Sequence, residues 1–332
     1  MHRRLVFKLP LLLAGGMALA RAPHASAQPP RTSPQASRWS PERANRWYQA
    51  QDWPVGANYI TSNAINQLEM FQPDTFDPRR IDTELGWARR NGFNAVRVFL
   101  HDLLWEQDHR GFQGRLARFV DIAARHGIKP LFVLFDSCWD PFPQPGPQRA
   151  PRPGIHNSGW LDRVAELLPQ VFAWARSVDP CQPLTSGVWQ GEWADPARRS
   201  VISGIQLDNS DVITFHCYGE PAAFEKRIAD LVPLGRPILC TEYMARPLGS
   251  TVQTILPIAK RANVGAFNWG LVAGKTQTFF PWDSWEHPDP AMPREWFHDL
   301  LDPDGRPFRD SEIQTILELS DLAMHLQPPP AG

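Results

Sequence analysis

The sequence predicts an α/β fold, a TIM-type (β/α)8 barrel lacking one helix–strand unit between strands 3 and 5. Three observations lead there. Short apolar runs alternate with amphipathic stretches, several stopped by glycine, as expected of parallel strands joined by helices. The 332 residues suffice for one barrel. Several apolar runs also end in a polar or aromatic side chain, and barrels of this kind build their sites at the carboxyl ends of strands.

The chain opens on an expected export signal over residues 1–27. Arg3, Arg4 and Lys8 are basic, Leu9 to Ala20 form a short apolar core, and Ala25-Ser26-Ala27 is a small-residue cleavage site. Arg3-Arg4-Leu5-Val6-Phe7-Lys8 resembles a twin-arginine signal, with an ordinary basic leader as the alternative. Either way the expected location is periplasmic or extracellular. Removing residues 1–27 takes away four basic residues and no acidic one, so the net charge goes from −1 to −5. An acidic chain of this kind is a poor nucleic-acid binder. No later stretch reads as a membrane span. The four cysteines lack a Cys-x-x-Cys pair and are expected to be mostly free, buried thiols. None of the ten histidines forms a His-x-His pair, which argues against a metal-dependent barrel hydrolase.

Residues 28–45, rich in Pro, Ser, Gln and Arg, read as a linker; the barrel is expected over 46–326, with a short tail at 327–332. The first strand is Val55 to Ile60. Pro78 to Arg90 is a helix capped by Asp77, with Ile81, Leu85 and Ala88 on its buried stripe. Ala95 to His101 is the second strand, and its Arg97 needs an anionic partner if buried. Arg115 to His126 is a helix, and Pro130 to Phe135 is the third strand. Pro141 to Pro153 holds six prolines in 13 residues, so it is a loop. Leu161 to Ser177 is an amphipathic helix. Strands follow at Leu184–Trp189, Val212–Tyr218, Pro237–Glu242 and Gly265–Gly270. Helices are expected at Ala222–Val232, Thr251–Asn263 and Ser311–His325. That makes seven strands, with the shortfall between Phe135 and Leu184.

Chemistry-bearing residues gather at the strand ends. Glu242 closes one strand, His216 and Tyr218 share a face at the end of another, and Asn268 and Trp269 close the last. The chain has 14 tryptophans. Trp105, Trp139, Trp189, Trp193, Trp282 and Trp285 lie on loops past strands, where aromatic faces suit the C–H faces of sugars. Trp87 and Trp174, in helices, read as core filling.

At these residues the chain resembles glycoside hydrolases of the cellulase-like clan, particularly family 5, over roughly Val55 to Phe308. It is also similar to exported bacterial proteins labelled 1,4-β-xylanases. The resemblance implies a retaining glycosidase acting on β-linked xylan, glucan or mannan, as a monomer without cofactor or metal. It makes Glu242 the nucleophile. Tyr218 of the His216-x-Tyr218 pair hydrogen-bonds that nucleophile, Arg97 keeps it ionised, and Trp269 is a sugar platform. His101 and Trp139 complete the expected substrate-binding set. The family's acid/base is the Glu of an Asn-Glu-Pro motif ending the fourth strand. No Asn-Glu-Pro occurs in this sequence, and the gap coincides with the missing strand near Trp160 to Arg163. Asp136, Asp140 and Glu192 are the candidate substitutes. A non-catalytic carbohydrate-binding barrel is the alternative reading.

Overall fold

The computed structural model describes residues 37–134, 140, 143–157 and 168–320. The export signal, the tail, Asp136, Cys138, Trp139 and Trp160 to Arg163 lie outside the described residues.

The chain runs α1 (Pro41–Gln49), β1 (Val55–Tyr59), α2 (Gln67–Phe71), α3 (Pro78–Arg90), β2 (Ala95–Phe99), α4 (Asp102–Arg125) and β3 (Lys129–Val133). It continues with α5 (Leu168–Ser177), α6 (Val201–Asn209), β4 (Ile213–His216), α7 (Pro221–Leu231), β5 (Ile238–Tyr243), α8 (Val252–Arg261), β6 (Gly265–Asn268) and α9 (Asp310–Leu319). Local chemistry sets many of these bounds. Asp77 caps α3, accepting from the amides of Arg79 and Arg80, with Pro78 at the first helical position. Thr251 and Thr254 cap α8 reciprocally. α4 begins earlier than the periodicity predicts, because His101 caps a first segment that joins the second across a kink at Asp108.

Six parallel strands form one sheet in the order β3-β2-β1-β6-β5-β4. The first and last strands pair, with Val55, Gly56 and Ala57 opposite Ala266, Phe267 and Asn268. The sheet therefore curls into a half-barrel closed where its two chain ends meet. Among the described residues the sheet ends at β3 and β4, the two strands that flank the shortfall expected from the sequence. Every residue of β1, β2, β5 and β6 is buried, as expected of parallel strands covered on both faces. In β3, Lys129 is exposed and the other four residues are half-buried.

Two sequence expectations are corrected. The strand expected at Leu184–Trp189 is a single parallel bridge, Val188 to Phe215, with Val188 N–H donating to Thr214 O at 2.9 Å. Among the described residues this segment has β4 on one side and no strand on the other, and Thr185, Ser186 and Gly187 are only half-buried. Without a second neighbour the ladder does not extend. Residues 41–45, expected within a linker, instead begin α1. Ser40 caps that helix through Arg43 N–H. Trp39, Ala44 and Tyr48 pack with Val212 and Leu239, and Arg236 holds Trp39 O at 2.9 Å. These contacts bring α1 to the amino ends of the strands. α6 was not predicted either; its cap, Ser200 accepting from Ser203 N–H, precedes a turn weakened by Gly204.

Among the described cysteines, Cys217 and Cys240 are free and buried as expected, whereas free Cys181 is exposed. Trp174 is 62% exposed, which corrects the expectation that it fills the core. No helix among the described residues is long and apolar enough to cross a membrane.

Candidate active site

Strand register brings the site together. In β5, Ile238, Cys240 and Glu242 alternate with their neighbours, and Glu242 stands opposite His216 of β4 across a register shift at Phe215 and His216. In β2, Arg97 stands opposite Asn58 of β1. β2 and β5 are separated by β1 and β6, and the curl of the sheet brings their inward side chains together.

Each carboxylate oxygen of Glu242 has its own partner. Arg97 Nη1 donates to Oε1 at 2.6 Å. Tyr218 Oη donates to Oε2 at 2.9 Å, and His216 Nδ1 lies 3.3 Å from the same oxygen. The guanidinium is itself fixed, since Nη1 also reaches Asn58 Oδ1 at 2.8 Å. The Asn58 amide in turn donates to Thr241 O at 2.9 Å and Asn268 O at 3.1 Å. Arg97 is thus held by a residue that ties β1 to β5 and β6.

Burial pushes the Glu242 carboxyl above its ordinary value, and the charge and hydrogen bond of Arg97, then the Tyr218 phenol, pull it back. Burial outweighs these two, so the cation and the phenol limit the rise.

The chain turns sharply after Glu242. Met244 takes a left-handed φ of 78°, uncommon for a side chain without short polar groups. Two contacts hold it, Ser250 Oγ accepting from its N–H at 3.2 Å and His298 Nδ1 lying 2.5 Å from its carbonyl. His298 is fully buried, its Nε2 has no hydrogen-bond partner, and burial holds its pKa well below the ordinary value. It is therefore a neutral imidazole, with Nδ1–H donating to Met244 O. Nearby, Arg246 is buried against Glu312, with Nε–Oε1 and Nη2–Oε2 contacts of 2.7 Å each. It also donates to the carbonyls of Trp296, His298 and Asp299. This pair fastens the segment after β6 over the end of β5. Asp299 is buried in that segment, and burial pushes its carboxyl up to about 6.

The sequence-predicted residues fare unequally. Glu242, Arg97, His216 and Tyr218 come together. His101 caps α4, with Nδ1 2.7 Å from Asp102 Oδ1. Trp269 is 3% exposed and stands edge-on to Phe99 and His298. Trp139 and Asp136 lie outside the described residues. Asp140 lies 3.4 Å from Asn66 Nδ2, and Glu192 is exposed beside buried Trp193. Two residues were missed. Asn58 was legible as a polar residue ending an apolar strand. His298 lies in a loop with no periodicity to mark it.

A buried carboxylate between a cation and a phenol, at the carboxyl end of a parallel strand, can attack an electrophilic carbon or accept hydrogen bonds from a ligand's hydroxyls. The class defined so far is a curled parallel α/β sheet, six-stranded among the described residues, with a strand-end carboxylate. No family model matches this chain, and no curated protein matches it. Solved structures do. An exo-β-1,4-mannosidase from Opitutaceae bacterium strain TAV5 is similar at 19% identity and TM-score 0.52, over 85% of this chain and 62% of that one. This chain thus spans less than two thirds of that mannosidase. A GH5_18 structure from Streptomyces cattleya in complex with GlcNAc is similar at 15% identity and TM-score 0.52, over 85% and 83% of the two chains. One from Bifidobacterium longum is similar at 14% identity and TM-score 0.53, over 85% and 81%. The fold is therefore that of the barrels in family 5 glycoside hydrolase structures, with six of its strands among the described residues.

Proposed function

We propose that this chain is a retaining glycoside hydrolase in which Glu242 is the nucleophile, acting on β-linked sugars of the xylan, glucan or mannan type. The observation that carries the reading is the carboxylate held by Arg97 on one oxygen and Tyr218 on the other. In the first step a Glu242 oxygen bonds to the anomeric carbon as the bond to the leaving oxygen breaks. The departing oxygen takes a proton, or leaves as a stabilised anion. Water then attacks the anomeric carbon, loses a proton and releases Glu242 as the carboxylate. Arg97 and Tyr218 hold the carboxylate in place throughout. The similar structures named as a mannosidase and as GH5_18 proteins support a sugar ligand. The leader residues support export to the periplasm or beyond.

The sequence lacks the Asn-Glu-Pro acid, and general acid help is worth about 10² to 10⁴ in rate. The chain is therefore expected to act best on glycosides with good leaving groups. The test is incubation with 2-deoxy-2-fluoro-β-xylosyl, glucosyl and mannosyl donors carrying a dinitrophenolate leaving group. Mass spectrometry of the peptides should find one sugar on Glu242. No labelling with any of the three overturns the reading. The missing motif also favours a second reading, a carbohydrate-binding barrel without turnover. Sugar binding that survives Glu242→Gln, with no labelling of the parent chain, would decide for it.

A further inference from the structure

We infer that Trp282 is the aromatic platform on which a sugar ring stacks beside Glu242, the role that the resemblance assigns to Trp269. This rests on the glycosidase reading and names the residue that holds the sugar.

The indole of Trp269 offers almost no face to solvent, being 3% exposed and packed against Phe99 and His298. Trp282 lies on the segment after β6 and is 37% exposed. Its ring stands perpendicular to that of Tyr218, with centroids 5.0 Å apart. The same Tyr218 bonds Glu242 Oε2, so a single side chain links the exposed indole to the carboxylate.

Trp282 is also fixed from behind. Its ring lies 4.9 Å from Phe297 and 5.6 Å from His298. His298 is tied to Met244 O, two residues past Glu242. The indole is therefore held to the nucleophile's strand by two routes, through Tyr218 and through His298. A ring already held in place loses little freedom when a ligand stacks on it. Exposed apolar area with a fixed orientation suits the continuous C–H face of a pyranose in β-linked xylo-, gluco- or manno-saccharides. The buried, unpartnered Nε2 of His298 fits this role. Its imidazole is a neutral post within the aromatic cluster, and its Nδ1–H is committed to Met244.

The test uses the full chain. Calorimetry with β-1,4-linked xylobiose, cellobiose and mannobiose measures binding to Glu242→Gln protein, which stops turnover. Adding Trp282→Ala should weaken the best disaccharide about tenfold, and Trp282→Phe should weaken it less. Trp174→Ala, exposed on α5, should leave it unchanged. In parent protein carrying 5-fluorotryptophan, the fluorine resonance absent from Trp282→Phe should shift on titration with the same disaccharide. That measurement tests the platform even if Trp282→Ala fails to fold. Unchanged binding in Trp282→Ala, or a stationary Trp282 resonance, overturns the platform. Failure of all three sugars to bind the parent overturns it too, and labelling of Glu242, measured separately, then tells whether the glycosidase reading survives.

Discussion

The sheet has a closed arc and an open margin, and they differ in almost every physical respect. On the arc, β1, β2, β5 and β6 each have a strand on both sides, and all their residues are buried. At the margin, among the described residues, β3 pairs with β2 alone and is mostly half-buried, while the segment before α6 touches β4 through one bridge. Asn58, Arg97 and Glu242 come from the arc, and His216 comes from β4 beside it. The fourth-strand position, where the resemblance places an acid, falls in the margin. The arc thus holds a buried carboxylate with its cation and phenol independently of the margin. Arg97 reaches Glu242 from β2 across the inside of the curl, past β1 and β6, while His216 and Tyr218 come from adjacent β4 and the residues just after it.

Substitutions can break or sharpen this contrast. Arg246→Ala should have the largest effect, about 3 to 5 kcal/mol in urea unfolding, because it leaves Glu312 buried without its cation. A loss under about 1 kcal/mol would mean the ion pair does not hold the last segment to the arc. Arg97→Met should cost roughly 3 kcal/mol. It should also move the acid limb of Glu242 labelling to higher pH, since burial then acts on the carboxyl without the opposing charge. An unmoved limb would remove Arg97 from control of ionisation.

Gly270→Ala should cost about 2 kcal/mol. Gly270 has a φ of 78°, and an added Cβ would lie 2.4 Å from Asp299 Oδ1. A matched pair tests the contrast directly. Val98→Ala in β2, buried, should lose about 2 kcal/mol, and Val133→Ala in half-buried β3 under about 1 kcal/mol. Equal losses would erase the distinction. The smallest effect is expected for Leu134→Lys, just past β3 and 46% exposed. Stability should change by less than about 0.5 kcal/mol, while a charge at an open sheet edge should lower aggregation, read by light scattering.

Proton linkage gives a further check. Glu242 binds its proton more tightly in the folded chain than in the unfolded one. Its contribution to stability therefore declines as pH rises from the ordinary carboxylate value through the raised folded value. Glu242→Gln should flatten that part of the stability profile.

Much of the arc was legible because its signals are local. Apolar runs such as Ala95–His101 and Pro237–Glu242 end in a polar side chain, and the caps at Asp77 and Thr251 mark helix starts. The margin was less legible because pairing there depends on neighbours. Leu184–Trp189 has strand character, and whether it becomes a strand depends on a partner that the segment itself does not encode. α1 was hidden by composition, since a Pro- and Arg-rich stretch reads as linker until Trp39 and Tyr48 find Val212 and Leu239.

The sequence by itself determined the alternation of strands and helices, the place of the shortfall and the candidacy of Glu242, Arg97, His216 and Tyr218. Each follows from residue type and period along the chain. Only the tertiary structure decided that the sheet closes through β1 and β6. It also decided that Asn58 holds Arg97, that His298 reaches Met244, and that Trp269 is buried while Trp282, packed on Tyr218, stays partly exposed. These depend on distances between residues far apart in sequence, which packing sets and periodicity does not encode.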